Sequence, residues 1–200
     1  MKSSITHYAS ILLIATMMLA WLPTDAEAAI YEDTIRLHIL ANSDSPEDQE
    51  LKLKIRDKLL IKYGDMLSKS NSTEEAEETM TLLLRSMEKD AEIWISELGY
   101  NYPVKVTLTK EWYETREYEG FTLPCGYYTS LIVIIGDGEG KNWWCVMYPP
   151  LCMDIASESA PSDDGVIDYS KEELILIKSN KYNIKFKILE DLSRVFSKNG

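Results

Sequence analysis

The residues that could carry covalent chemistry are few in this chain of 200 amino acids. It contains three cysteines, Cys125, Cys145 and Cys152, and His38 is the one histidine beyond the N-terminal segment. A cysteine–histidine hydrolase would need His38 as its base and one of these thiols as its nucleophile. Because His38 is far in sequence from every cysteine, the spacing sets no geometry that indicates catalysis. No Cys-x-x-Cys pair is present, so the zinc-site signature is missing from the sequence.

Two polar segments have some of the residues that phosphate or cation sites use. The segment Gly136–Lys141 departs from a phosphate-binding loop, because Asn142 stands where Ser or Thr is required. The segment Asn42–Asp44 begins like a calcium loop, but Pro46 occupies a ligand position. Both segments are therefore interpreted as turns, and we expect neither a metal nor a cofactor.

Cys145 and Cys152 lie on either side of Pro149 and Pro150, where the chain is expected to bend. If the chain is exported, these two cysteines could form a disulfide, since oxidising compartments permit one. The alternative is a pair of buried apolar thiols. The number of cysteines is odd, so at least one of the three remains outside any intramolecular pair.

Trp143 and Trp144 are consecutive residues in a predicted strand, so their side chains should point to opposite faces of the sheet. One of them can fill the core while the other faces outward and marks a binding site for a partner. A sheet that is buried on both faces would accommodate both indoles equally well.

The N-terminus has the organisation of a secretory signal peptide. Lys2 is followed by the uncharged apolar run Ile11–Leu22 and then by the small-residue pattern Ala26-Glu27-Ala28. The run is shorter than an ordinary membrane-spanning helix, which favours a cleaved signal over an anchor. We therefore assign residues 1–28 to a signal peptide.

Two helices and several strands are predicted beyond this segment. Ser45 and Pro46 mark the start of a helix that runs to about Tyr63. Ser72 and Glu75 fit a capping box at the start of a second helix, which Gly99 ends. Alternating or continuous apolar residues predict four strands. These strands are Ile35–Ala41, Val104–Thr109, Tyr127–Ile135 and Trp143–Tyr148, and the last two are expected to form a hairpin.

The pattern predicts an α+β fold, a two-layer domain with a mostly antiparallel sheet and two main helices after the signal peptide. The domain would cover residues 29–155, followed by a flexible loop at 156–172 that is poor in apolar residues. Residues 173–200 would add a short strand and a helix to the same domain. The net charge of −12 argues against nucleic acid as a partner, since phosphate binding requires clustered Lys and Arg.

Two longer stretches resemble a known family. The stretch Ile35–Asp57, which reads IRLHILANSDSPEDQELKLKIRD, resembles the opening of stage II sporulation protein R of endospore-forming bacteria. The stretch Ile135–Cys152, which reads IGDGEGKNWWCVMYPPLC, resembles the second signature of that family. Their order, their separation and the preceding signal peptide are also similar.

This resemblance implies a secreted signal rather than an enzyme. It implies export from the forespore into the intermembrane space, where the protein activates a membrane-embedded aspartic protease of the mother cell that matures the sigma-E precursor. An exported Cys–His hydrolase and a cell-wall-binding module are the alternatives. Cys125 departs from the family, which has a small residue there, and this supports Cys145 with Cys152 as the disulfide. The candidate partner-binding residues are Asn42, Asp44, His38, Trp143 and Trp144.

Overall fold

The computed structural model describes residues 2–19, 25–118 and 121–149. The predicted loop at 156–172, the predicted strand and helix at 173–200, and Cys152 lie outside the described residues. The chain divides into two compact units. One contains the described residues 30–113 and 126–149; the other contains the described residues up to 29 together with 114–125.

The helices of the described part begin where the sequence has capping residues. Ser45 accepts a hydrogen bond from the backbone N–H of Asp48, and Pro46 occupies the first turn. The long helix ends in a Schellman motif, in which Gly99 has a φ of 87° and Tyr100 N–H donates to the carbonyl of Ile95. The helices are α1 (Lys2–Leu19), α2 (Asp25–Glu32), α3 (Pro46–Leu59), which continues through a π-helical turn (Leu60–Gly64), α4 (Asp65–Leu67) and α5 (Thr73–Glu97).

The strands form one four-stranded mixed sheet and one separate two-stranded sheet. The order in the larger sheet is β2-β5-β1-β6, in which β1 is parallel to β5 and antiparallel to β6, and β2 is antiparallel to β5. β3 pairs with β4 alone. The strands are β1 (Ile35–Leu40), β2 (Val104–Tyr113), β3 (Arg116–Tyr118), β4 (Phe121–Leu123), β5 (Gly126–Ile135) and β6 (Asn142–Tyr148).

The predicted hairpin of β5 and β6 is wrong, because β1 lies between these two strands. The glycine-containing segment that joins them therefore crosses over the end of β1 instead of closing a tight turn. The sheet is mixed, since β1 and β5 run parallel, but the other described pairings, β1 with β6 and β2 with β5, are antiparallel as expected. Local sequence patterns report strands and turns but not the insertion of a distant strand between two neighbours.

One face of the larger sheet packs against helices. Leu37 and Ile39 of β1 share this face with Leu131 and Val133 of β5, and all four are fully buried. α5 packs along β2, and α3 lies beside β1. The buried helical residues that complete this core are Leu51, Ile55, Met80, Met87, Ala91 and Ile95. Each fully buried Leu or Ile side chain contributes roughly 1.5–3 kcal/mol of stabilisation.

The structure confirms an α+β fold with a mixed sheet and a few helices. The two-layer arrangement and the signal peptide stay predictions. Among the described residues, none of the helices combines the length and the apolar character that crossing a membrane requires.

Candidate functional site

The two family-like stretches meet at one end of the sheet. We call residues 41–45, which follow β1, the first loop, and residues 136–141, which join β5 to β6, the glycine loop. The side-chain oxygen of Asn42 accepts a hydrogen bond from the N–H of Asp137 at 3.1 Å. The carboxylate of Asp44 accepts one from the N–H of Lys141 at 2.7 Å, and Gly140 N–H donates to Ala41 O at 2.9 Å. Asn42 and Asp44 thus bind the glycine loop directly.

The glycines of the glycine loop are required by this contact. Gly136 has a φ of 60°, and a Cβ atom there would lie 2.2 Å from Oδ1 of Asn42. A Cβ atom on Gly140 would lie 2.2 Å from the backbone oxygen of Ser43. At either distance a Cβ atom would overlap its neighbour, so the Asn42 side chain can approach Gly136, and the Ser43 backbone can approach Gly140, because both residues are glycine. The glycines therefore permit a close contact between the two loops.

Asp48, in the first turn of α3, connects the first loop to the helix. Its carboxylate accepts hydrogen bonds from Asn42 Nδ2 at 2.9 Å and from Ser43 Oγ at 2.6 Å. Burial raises the pKa of the Asp48 carboxyl, but the hydrogen bonds from Ser43, Asn42, Tyr102 and Ser45 outweigh burial and hold this pKa below its ordinary value. The ionised form of Asp48 is therefore the form that the folded protein stabilises.

Lys52, one helical turn after Asp48, connects α3 to the glycine loop. Its ammonium group donates to the carbonyl oxygen of Lys141 at 2.7 Å and to Oε1 of Gln49 at 2.7 Å. Burial, and to a smaller degree the charge of Arg56, lower the pKa of Lys52 below its ordinary value. The end of β1, the start of α3 and the glycine loop thus form one hydrogen-bonded assembly.

A second polar cluster lies on the face of the sheet opposite α3 and α5. His38 is 6% exposed, and its Nδ1 lies 2.9 Å from Oε1 of Glu111 on β2. Ser130 Oγ donates to Oε2 of Glu111 at 3.2 Å, and the Tyr113 hydroxyl lies 2.6 Å from Ser130 Oγ. Burial and the Glu111 carboxylate raise the pKa of the Tyr113 phenol, although the Ser130 hydrogen bond opposes them, so this phenol remains protonated.

Arg36 lies beside this cluster and is fully buried. Its guanidinium carbon is 4.2 Å from the ring centroid of Tyr113 and 5.2 Å from that of Tyr128. Both distances are within the range of a cation–π interaction. Both faces of β1 are therefore buried, with Arg36 and His38 on the face that carries its polar residues.

Cys145 and His38 are not placed as a Cys–His hydrolase would require. Cys145 is paired in register with Leu37, and Trp144 is paired with His38, so Cys145 and His38 occupy opposite faces of the sheet. Cys125 is a buried thiol outside any disulfide and belongs to the other unit. Within the described ranges, no group of three or more His, Cys, Asp or Glu residues is arranged to hold a metal ion.

The two tryptophans lie on opposite faces, as their positions in β6 predict, and both are partly exposed. Trp143 is on the helix side, where the guanidinium carbon of Arg56 lies 4.7 Å from its ring. Trp144 is on the other face, 5.5 Å from the ring of His38. Partner binding by these two residues, and by His38, Asn42 and Asp44, stays a prediction.

Sequence reasoning did not identify the partners that Asn42 and His38 have in the fold. Asp48 lies in the first turn of α3, where an acidic residue is common because of the helix dipole, so its type and position gave no sign of its bonds to the first loop. Glu111 could not have been found, because it is 73 residues from His38 and no local pattern connects them.

Comparison with known proteins identifies the family. The family model described as stage II sporulation protein R matches residues 31–158, which include the first loop and the glycine loop. The chain belongs to the stage II sporulation protein R family. The chain is also 34% identical over 145 residues to the stage II sporulation protein R of Bacillus subtilis (strain 168).

Membership of the stage II sporulation protein R family implies a role in sporulation. The alignment with the Bacillus subtilis protein covers 72% of this chain and 65% of that protein, which is less than two thirds of its length. No solved structure shows significant similarity to this chain. The family resemblance seen in the two stretches is thus confirmed, and both stretches contribute to one loop assembly.

Proposed function

We propose that this chain is an exported signalling protein of sporulation. It passes from the forespore into the intermembrane space and activates a membrane-embedded aspartic protease of the mother cell. That protease then matures the sigma-E precursor by proteolysis. The observation that carries this proposal is the family match over residues 31–158, supported by the signal-peptide pattern that precedes it.

The arrangement of the polar residues favours a binding role over a catalytic one. His38 is engaged by Glu111 through Nδ1, and Cys145 lies on the other face of the sheet. Asp48 and Lys52 hold the two loops that the family match includes through hydrogen bonds to Ser43 and Lys141. Loops that are preorganised by such hydrogen bonds bind a partner at a lower entropic cost than loops that must be ordered on binding.

Activation follows if the exported domain binds the active arrangement of the protease more tightly than the inactive one. A ligand can shift such an equilibrium only by its difference in affinity for the two states. Raising the active fraction from about 1% to about one half requires a preference of roughly 100-fold, which is about 2.7 kcal/mol. A few well-placed contacts suffice for a difference of this size.

The test is reconstitution in a bacterium that does not sporulate. The protease and the sigma precursor are expressed with and without this chain, and precursor shortening is followed by gel electrophoresis. We expect shortening that depends on this chain and is not abolished by His38→Ala, since the loss of one contact residue weakens binding without removing it, provided that circular dichroism shows this variant to be folded. If the exported chain causes no shortening, the proposal is wrong, and purified wall fragments then test the cell-wall-binding alternative.

Loss of shortening with a folded His38→Ala variant, together with loss in a single Cys→Ser variant, would favour the Cys–His hydrolase instead. Cys145→Ser and Cys152→Ser are the informative thiol variants, because Cys125 departs from the family pattern. The signalling proposal expects that each purified thiol variant still activates the protease as long as its fold is intact.

A further inference from the structure

Among the described strands, β2 lies at the edge of the larger sheet, and its backbone has an outward-facing side. The N–H groups of Val104 and Val106 point away from β5, since they donate to Glu92 at 3.4 Å and to Glu88 at 3.0 Å. These two carboxylates come from α5 and cover the first half of the edge. Covering an edge in this way prevents its pairing with another chain.

The second half of the edge is not covered in the same way. The pairing of β2 with β5 has no register shift, and the direction of the backbone N–H groups alternates along the strand. The N–H groups of Leu108, Lys110 and Trp112 therefore point away from β5, as that of Val106 does. Within the part of the chain that the structure describes, no acceptor meets the N–H groups of these three residues. The α5 position one turn before Glu88 is Leu84, whose side chain cannot accept a hydrogen bond.

Large side chains lie beside this open edge. Trp112 is 37% exposed and Tyr127, its register partner on β5, is 64% exposed. Their rings meet edge to face with centroids 5.2 Å apart. Lys110 is exposed and lies on the same face of the sheet, two residues before Trp112. An added strand would therefore meet both free backbone groups and an aromatic contact surface.

We infer that the open half of β2, from Leu108 to Trp112, binds an extended segment of a partner protein as an additional strand. The partner segment has an acidic residue opposite Lys110 and apolar residues two positions away, which contact Leu108 and Trp112. This inference rests on the proposed function, in which the partner is the membrane protease. It assigns the binding to main-chain hydrogen bonds of β2, outside the two family-like stretches.

The charge of Lys110 selects among the possible occupants. A second copy of this chain, paired antiparallel about Lys110, would place two lysines opposite each other, which is unfavourable. A lysine at an edge also discourages unspecific pairing. A strand with a carboxylate at this position gains an ion pair in the same geometry. Lys110 thus favours an acidic partner segment over self-association.

The test uses full-length exported chains and membrane vesicles that contain the protease. Lys110→Pro removes the outward N–H while leaving the bonds to β5 intact, since proline is tolerated where the N–H faces solvent. Lys110→Glu reverses the charge and retains the N–H, so it remains informative if the proline variant folds poorly. Lys105→Glu is the matched control, because Lys105 is exposed on β2 but its backbone faces β5 and its side chain lies on the opposite face.

We expect both Lys110 variants to bind the vesicles about tenfold more weakly and to activate precursor cleavage less, with an unchanged unfolding midpoint. Lys105→Glu should bind like the unmodified chain. Activation by the unmodified chain together with full activity of both Lys110 variants would overturn this inference alone. No activation by the unmodified chain would overturn the proposed function. A lower unfolding midpoint in both Lys110 variants would indicate that residues 173–200 of the same chain cover the edge, and it would overturn the inference. Concentration-dependent dimerisation that both variants abolish would indicate a second copy of the chain at the edge, which would also overturn it.

Discussion

At the scale of single residues, Asp48 has more hydrogen-bonding partners than any simple capping role requires. Its carboxylate joins Asn42 and Ser43 of the first loop to the start of α3. Because its pKa is lowered in the folded protein, Asp48 stabilises the fold above its unfolded-state pKa near 4, and this contribution is lost as the pH falls through the folded-state pKa.

The first prediction concerns the variant Asp48→Asn. At pH 7 we expect a loss of about 2 kcal/mol in the free energy of unfolding, because two donors lose a charged acceptor. At a pH below the folded-state pKa of Asp48, the difference between variant and parent should shrink. Urea unfolding at several pH values measures both effects. A difference that stays constant from pH 7 down to acid would contradict the role of the ionised carboxylate.

The second prediction compares two glycines that both have positive φ. Gly136→Ala should cost about 3 kcal/mol, since it combines backbone strain with a clash against Asn42. Gly99→Ala should cost only about 1 kcal/mol, because a Cβ atom there meets nothing within 4 Å. Denaturant unfolding gives both values. Equal costs at the two positions would mean that the contact between the loops is not tight.

The sequence predicts the local contacts of these residues but not their contacts with distant parts of the chain. The capping roles of Ser45 and Ser72 can be predicted, because a capping residue and its N–H partner are only three residues apart in the sequence. The hydrogen bond between Asn42 and Asp137 cannot be predicted from the sequence, because the two residues are 95 positions apart and only the fold brings them together. Each loop alone is therefore interpreted as a turn.

At the scale of elements, α3 and β6 are joined on the helix side of the sheet by Arg56 and Trp143. Arg56 is largely buried and also forms an ion pair with Asp57 at 2.6 Å. A second cation–π pair, Lys58 with Trp94, lies at 5.4 Å and is more exposed. The Arg56 pair is both closer and more buried than the Lys58 pair, so it should be the stronger of the two.

The third prediction is a double-mutant cycle with Arg56→Ala and Trp143→Leu. We expect a coupling of about 1 kcal/mol, since the pair is close and its cation is largely buried. The corresponding cycle with Lys58→Ala and Trp94→Leu should give about 0.5 kcal/mol or less. Thermal unfolding of the four variants in each cycle provides the measurement. A stronger coupling in the exposed pair would contradict the assignment of Trp143 to the helix side.

The elements themselves are largely predictable, and their arrangement is not. The helix predicted from Pro46 to about Tyr63 corresponds to α3 and its π-helical turn, and the second helix corresponds to α5. β2 is longer than predicted because its mixed residues after Thr109 still pair with β5. The parallel pairing of β1 with β5 could not be predicted, since local sequence patterns do not indicate the order of the strands in a sheet.

At the scale of the whole molecule, export determines the redox state that the cysteines can reach. If the chain reaches an oxidising compartment, the predicted disulfide of Cys145 and Cys152 closes a short loop and contributes about 2 kcal/mol. Cys145 is buried, and Cys152 lies outside the described residues. Cys125 is present as a buried thiol.

The fourth prediction is a thiol count on the exported chain. After unfolding without reductant, alkylation should modify Cys125 alone, and reduction should allow all three cysteines to be modified. Mass spectrometry of the intact and digested chain measures this directly. Modification of all three cysteines without reductant would show two buried thiols instead of a disulfide.

The central claim is that this chain acts as a ligand that triggers precursor cleavage by a separate protease. The most direct measurement titrates the purified exported chain against vesicles that hold a known amount of the protease and the sigma precursor. We expect the cleavage rate to rise with the amount of chain and to saturate when the protease is occupied. Full cleavage at trace amounts of chain, or none at any amount, would contradict the claim.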